Sequence, residues 1–131
     1  MGNDPLYEVT NLDGVEAAYV FAPPAELVAK REGDIPPQEF SAKELRDFIR
    51  YLFDNGGVSE VLICYPQKVF FLKIMGDRAL VIMGSSKANP ALLRVGVEVL
   101  EHRWREDGLN RVFPKRGKRS PFRFWRSRKE G

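Results

Sequence analysis

Two spacings of apolar residues alternate along this chain, and each change of spacing marks an element. Val15–Ala22 is a short run with β-branched and aromatic members, which predicts a strand. Pro23-Pro24 turns the chain, and Glu26–Glu32 returns as a second strand. The two prolines in Gly33-Asp34-Ile35-Pro36-Pro37 remove donors and disfavour helical geometry in their neighbours, so this is a loop. The spacing then changes. Leu45, Phe48, Ile49, Leu52 and Phe53 recur at i, i+3, i+4, i+7 and i+8, one apolar stripe of a helix. Ser41 and Glu44 form a capping box at its start, and Asn55-Gly56-Gly57 ends it.

Three strands follow: Val58–Tyr65, Lys68–Met75 and Arg78–Met83, joined by Pro66-Gln67 and Gly76-Asp77. Links of two residues permit only antiparallel neighbours. Apolar residues stand at consecutive positions (Val69-Phe70-Phe71-Leu72, then Ala79-Leu80-Val81-Ile82-Met83), so both faces of the sheet need cover. The second cover is a helix opening at Asn89-Pro90, a favoured N-cap followed by a tolerated first-turn proline. It carries Leu93, Gly96, Val97, Leu100 and Trp104 and ends near Asp107-Gly108. A helix-interior glycine costs roughly 1 kcal/mol against alanine, so Gly96 implies close approach of the helix to the sheet. The expected fold is an α/β sandwich of the α+β class: a five-stranded antiparallel sheet, order β-β-α-β-β-β-α, with helices on both faces.

Composition changes this picture little and charge changes it more. A chain of 131 residues with 44% hydrophobic and 30% charged residues has the balance of one soluble globular domain. No apolar run reaches the roughly 18–20 residues of a membrane span. Met1-Gly2-Asn3-Asp4-Pro5 lacks the basic flank and apolar stretch of a signal peptide, so a cytoplasmic address is expected. Residues 111–131 hold nine of the 21 basic residues and one of the 18 acidic ones, leaving 12 against 17 in residues 1–110. A domain over 1–110 of about −5 therefore precedes a tail of about +8, and the two suit different partners.

Arg111, Lys115, Arg116, Lys118, Arg119, Arg123, Arg126, Arg128 and Lys129 interleave in that tail with Phe113, Phe122, Phe124 and Trp125. The composition suits an anionic membrane, to which each basic residue adds on the order of 1 kcal/mol. It suits nucleic acid equally, through phosphate neutralisation and stacking. It also suits a tail that only solubilises the chain or folds back on the acidic body. The three readings weigh the same, and the membrane reading would make the protein peripheral to it.

Candidate chemistry is sparse. Cys64, the single cysteine, lies in the apolar run Val61-Leu62-Ile63-Cys64 and is expected to be a small buried hydrophobe. With His102 the single histidine, a Cys/His zinc site cannot assemble. His102, between Glu101 and Arg103 on a helix, is expected at the surface. Gly84-Ser85-Ser86-Lys87 lacks the spacing of a phosphate-binding loop and is expected to be a turn. No paired carboxylates can be placed in a pocket. The inventory points to a protein without catalytic residues, metal, cofactor or small-molecule substrate.

Three stretches resemble a known family. Gly57-Val58-Ser59-Glu60-Val61-Leu62-Ile63 is followed by Phe70–Met75, the Gly76-Asp77 turn, the apolar strand Arg78–Met83 and the helix start Ala88-Asn89-Pro90-Ala91-Leu92-Leu93-Arg94. Asn11–Ala18 looks like an opening turn feeding a first strand. Together, over residues 11 to about 106, these resemble the roadblock/dynein light chain family, within the profilin-like fold group. In two places the chain departs from it. The family opens with a full amphipathic helix, whereas about ten residues precede Gly14, with Pro5–Val9 supplying a turn or two. Pro23-Pro24 and residues 33–40 are also richer in proline.

The resemblance implies a homodimer in which Leu45, Phe48, Leu52, Val58, Glu60, Leu62 and Cys64 meet their copies across a two-fold axis. It also implies a GTPase regulator, a GTPase-binding scaffold or a motor light chain, with a small Ras-like GTPase as partner. Under that reading Arg78 and Arg94 are candidate arginine fingers, against ordinary surface solvation.

Overall fold

The computed structural model describes residues 4–33 and 42–115. The proline-rich loop, the Ser41 half of the capping box and the tail beyond Lys115 lie outside the described residues. The elements are α1 (Tyr7–Thr10), β1 (Val15–Ala22), β2 (Glu26–Glu32), α2 (Ala42–Asn55), β3 (Glu60–Cys64), β4 (Lys68–Met75), β5 (Arg78–Ser85), α3 (Pro90–Asp107) and α4 (Leu109–Val112). All five strands pair antiparallel in one sheet of order β2-β1-β5-β4-β3. The expected sheet is therefore the one formed. β3 is shorter than the run Val58–Tyr65 suggested and β5 runs two residues longer. α4 was not foreseen.

Two apolar layers sandwich the sheet. On one face Ala18, Val20, Phe71, Leu80 and Ile82 meet Leu93, Val97, Leu100 and Trp104 of α3, with Leu6 and Val9 of the short N-terminal helix beside them. On the other face Ala17, Tyr19, Phe21, Leu72, Ala79, Val81 and Met83 meet Leu45, Ile49 and Leu52 of α2. Neighbouring residues of a strand point to opposite faces, so the consecutive apolar runs are explained by these two covers. Asn89 caps α3 as expected, its side chain accepting from the amides of Ala91 (2.9 Å) and Leu92 (3.3 Å).

α1 is one turn long and is held by charge as well as packing. Arg31 on β2 donates to Asp4 (3.1 Å) and to the Thr10 hydroxyl (3.2 Å), with its guanidinium 5.0 Å from the Tyr7 ring centre. Arg103 on α3 pairs with Glu8 at 2.9 Å. Gly96 is needed, but not for the sheet: a Cβ there would lie 3.1 Å from the Leu12 methyls, so the helix makes room for the loop after α1.

Phe113, assigned from the sequence to the tail, is a core residue. It is buried and stands edge-on to Trp104, with centroids 5.0 Å apart. Its neighbour in the linear charge pattern, Lys115, pairs with Asp77 at 3.3 Å. The ordered body therefore extends past residue 110.

A close backbone approach joins the start of β1 to the end of β5. The Ser85 amide donates to the Gly14 carbonyl at 2.8 Å. Gly14 has φ +83°, and a Cβ there would fall 2.6 Å from the Ala88 backbone. Gly14→Ala is expected to cost about 2–3 kcal/mol, from left-handed strain plus a clash with main chain. Urea denaturation reads it; a loss within experimental error would show that the turn relaxes freely.

Candidate functional site

β3 is an edge strand with a neighbour on one side only. The Tyr65 amide bonds Lys68 and the Ser59 carbonyl accepts from Ile74, so the odd-numbered residues of this segment aim their backbone groups at β4. Alternation then turns the amides and carbonyls of Glu60, Leu62 and Cys64 away from the sheet. A row of outward donors and acceptors is a template for another strand.

The side chains around this edge divide between the two faces. Leu62 pairs across the ladder with Phe71, which places Leu62, and with it Glu60 and Cys64, on the α3 face. Leu62 is 46% exposed, and Val58 and Cys64 are also exposed. Cys64 is thus not the buried hydrophobe expected: at an edge strand, the side that no element covers is left open. Glu60 is already engaged within the chain, pairing with Arg94 Nε (2.6 Å) and accepting from Lys73 Nζ (3.4 Å). Lys73 also faces Glu101 at 3.5 Å, so this network ties α3 to the edge of the sheet. A groove of about 430 Å³ runs between them, lined by Glu60, Leu62, Phe71, Pro90, Ala91 and Arg94.

The helical members of the implied interface lie across the sheet. Leu45 and Leu52 are buried against its α2 face, and Phe48 packs beside them half-buried. The sequence reading passed over Tyr51 and Tyr65, both more than half exposed. Their signal was present: Tyr51 stands three residues after Phe48 on a flank of the helix, and Tyr65 follows the edge strand.

Of the two arginines singled out, Arg94 is at the surface and Arg78 is not. Arg78 is completely buried, neither a finger nor a solvated surface group. Its Nε donates to the Phe113 carbonyl (2.9 Å), Nη2 to Asn110 Oδ1 (2.7 Å) and Nη1 to Asp77 Oδ1 (2.6 Å). It is the latch that holds α4 and Phe113 against the β4–β5 turn. Arg94 is exposed and bound to Glu60. His102 is at the surface as expected, 3.1 Å from Glu106. Of residues 84–87, Gly84 and Ser85 end β5, and Ser86 and Lys87 turn the chain towards α3. Among the described residues no three His, Cys, Asp or Glu side chains group as metal ligands. No helix there is long and apolar enough to cross a membrane. Of the basic tail, Arg111 and Lys115 belong to the body, while Arg116, Lys118, Arg119, Phe122, Arg123, Phe124, Trp125, Arg126, Arg128 and Lys129 lie outside the described residues.

The same architecture occurs in solved structures. A roadblock/LC7 domain from Streptomyces avermitilis matches with a TM-score of 0.58 at 15% identity, covering 76% of this chain and 89% of that one. The gliding protein MglB from Thermus thermophilus matches at 0.61 and 13% identity, over 74% of this chain and 80% of its own. Myxococcus xanthus MglB matches at 0.65 and 11% identity, over 87% and 91%. No family model and no curated protein matches the sequence. The chain has the roadblock/LC7 fold.

The latch makes a pH-dependent contribution. Burial raises the Asp77 carboxyl, but Arg78 and Lys115 pull it down further, and the net value lies below the ordinary one. A folded value below the unfolded value, about 3.9, gives stabilisation that is complete above that pH and lost as pH falls through the folded value. The stability gap between wild type and Asp77→Asn should therefore close as pH drops from about 6 to below 3; a constant gap would refute the assignment. Arg78→Ala should cost about 2–4 kcal/mol at neutral pH by orphaning the Phe113 carbonyl and Asn110, measured by thermal and chemical denaturation.

Proposed function

We propose that this roadblock/LC7-fold protein is a non-enzymatic homodimer that regulates or scaffolds a small Ras-like GTPase through its surface. The observation that carries the reading is the one-sided β3 edge within this fold. Its outward amides and carbonyls pair with those of a second copy about a two-fold axis near Leu62, joining two sheets into one. Pairing removes the liability of the open strand and covers exposed apolar side chains at the same time. The family resemblance in sequence supports the GTPase as partner, and the likeness to MglB in fold is consistent with it.

The proposed mechanism is indirect. With Arg78 enclosed, the protein works by holding the switch segments of a GTPase in one of their conformations. It contributes no catalytic base of its own.

Leu62→Pro tests the dimer. Proline removes an outward donor without removing a bond to β4, a substitution that edge strands tolerate. Light scattering at tens of micromolar should show a dimer for wild type and a monomer for the variant with circular dichroism intact. A wild-type monomer would count against the reading. For the partner, purified protein is titrated into a Ras-like GTPase from the same genome loaded with GDP or with a GTP analogue. Binding that prefers one nucleotide state is expected; failure to bind either state overturns the GTPase reading while leaving the dimer standing.

A further inference from the structure

Beyond Gly108 the chain is joined to the rest of the body by side chains alone. The Arg111 and Val112 amides donate to the Gly108 carbonyl (2.9 and 3.0 Å), and the Phe113 amide donates to the Leu109 carbonyl (2.8 Å). Among the described residues no backbone bond from residues 109–115 reaches a strand or α3. Their polar ties converge instead on two adjacent residues of the β4–β5 turn. Arg78 donates to the Phe113 carbonyl and to Asn110 Oδ1, and Asp77 pairs with Lys115 at 3.3 Å. The apolar ties are Phe113, edge-on to Trp104, with Leu109 and Val112 half-buried against the same core. Gly108 itself stands at φ +95°, and a Cβ there would meet only the Arg111 side chain, so the joint is free of tertiary contact.

We propose that residues 109–115 are a strap that opens as one unit about Gly108, ahead of any unfolding of the sheet, and lifts Phe113 off Trp104. A segment without ladder bonds to its neighbours lies at the low end of the local stabilities in a fold. The shared clamp makes the opening all-or-none. A partly raised strap would leave the buried Arg78 guanidinium without its Phe113 and Asn110 acceptors and still out of water, a costly arrangement. A fully raised strap gives Arg78 water in their place. Asp77 remains 2.6 Å from it on the same turn, so the open form carries no uncompensated charge.

Opening changes what the protein shows to its surroundings. Trp104 is 3% exposed with the strap down. It lines a cavity of about 350 Å³ together with Tyr7 and Glu8 of α1, and Arg111 and Val112 of the strap form another part of the lining. Raising the strap removes those two residues and the Phe113 ring together, so the cavity becomes an open cleft with the indole in it. The strap therefore acts as a cover that keeps this aromatic surface from water and from partners. It rests on contacts within one chain, and so holds whether or not the β3 edge pairs.

Amide hydrogen exchange of the full chain, followed by NMR, reads the opening. After correction for intrinsic rates, the amides of Arg111, Val112 and Phe113 should exchange at least about tenfold faster than those of Leu80, Val81 and Ile82 in β5. Two substitutions then separate strap opening from global unfolding. Ile49→Val removes a methyl group from the core under α2, where packing is the same with the strap up or down. It should speed exchange in β5 several-fold and leave the strap amides as they were. Asn110→Ala removes an Arg78 acceptor that exists only in the closed form, and should speed exchange of the strap amides several-fold. Strap amides that exchange at the β5 rate in wild type, that follow Ile49→Val, or that ignore Asn110→Ala would each overturn the proposal.

Discussion

Strand β5 is buried from Arg78 to Gly84, with both of its faces turned away from water. A strand in that position must be flanked by hydrogen-bonded neighbours and covered above and below, since unpaired backbone groups in an apolar layer cost several kcal/mol each. β1 and β4 supply the neighbours, α2 one cover, and α3 with α1 the other. The remaining strands, β2 and β3, are consequences of closing this centre and form the two edges. What the covers leave open is the β3 edge and the outer faces of the helices.

The charged groups divide along the same lines. Arg78 enters the core because the end of α4 and Phe113 offer it acceptors, and its charge is matched by the half-exposed Asp77. Lys73, Glu60, Arg94 and Glu101 form a partly exposed network whose geometry sets the edge of the sheet against α3. Such surface pairs add little stability individually. Their effect is positional, setting α3 and the Arg94 side chain beside the β3 edge.

Legibility in the sequence followed the range of the interactions. β1, β2 and β4 were readable to the residue, because turn residues and local spacing bound them. The α2 stripe from Leu45 to Phe53 was readable for the same reason, as was the Asn89 cap. Cys64, Arg78 and Phe113 were misread, and each for a long-range cause. Cys64 sits in an apolar run, yet its exposure depends on β3 being an edge, which only strand order decides. Arg78 and Phe113 lie 35 positions apart, and neither residue's surroundings in the chain announce that one will cap the other.

The sequence by itself determined the periodicities, and through them the element order and the requirement for two covers, because hydrophobic spacing is a local property of the chain. It also determined that the chain holds a single cysteine and a single histidine, which is a matter of inventory. Tertiary structure alone decided which strand would be left with an open side, which arginine would be enclosed, and which face of α3 would remain in water. Those outcomes depend on contacts between residues distant in the chain, and packing rather than spacing selects them.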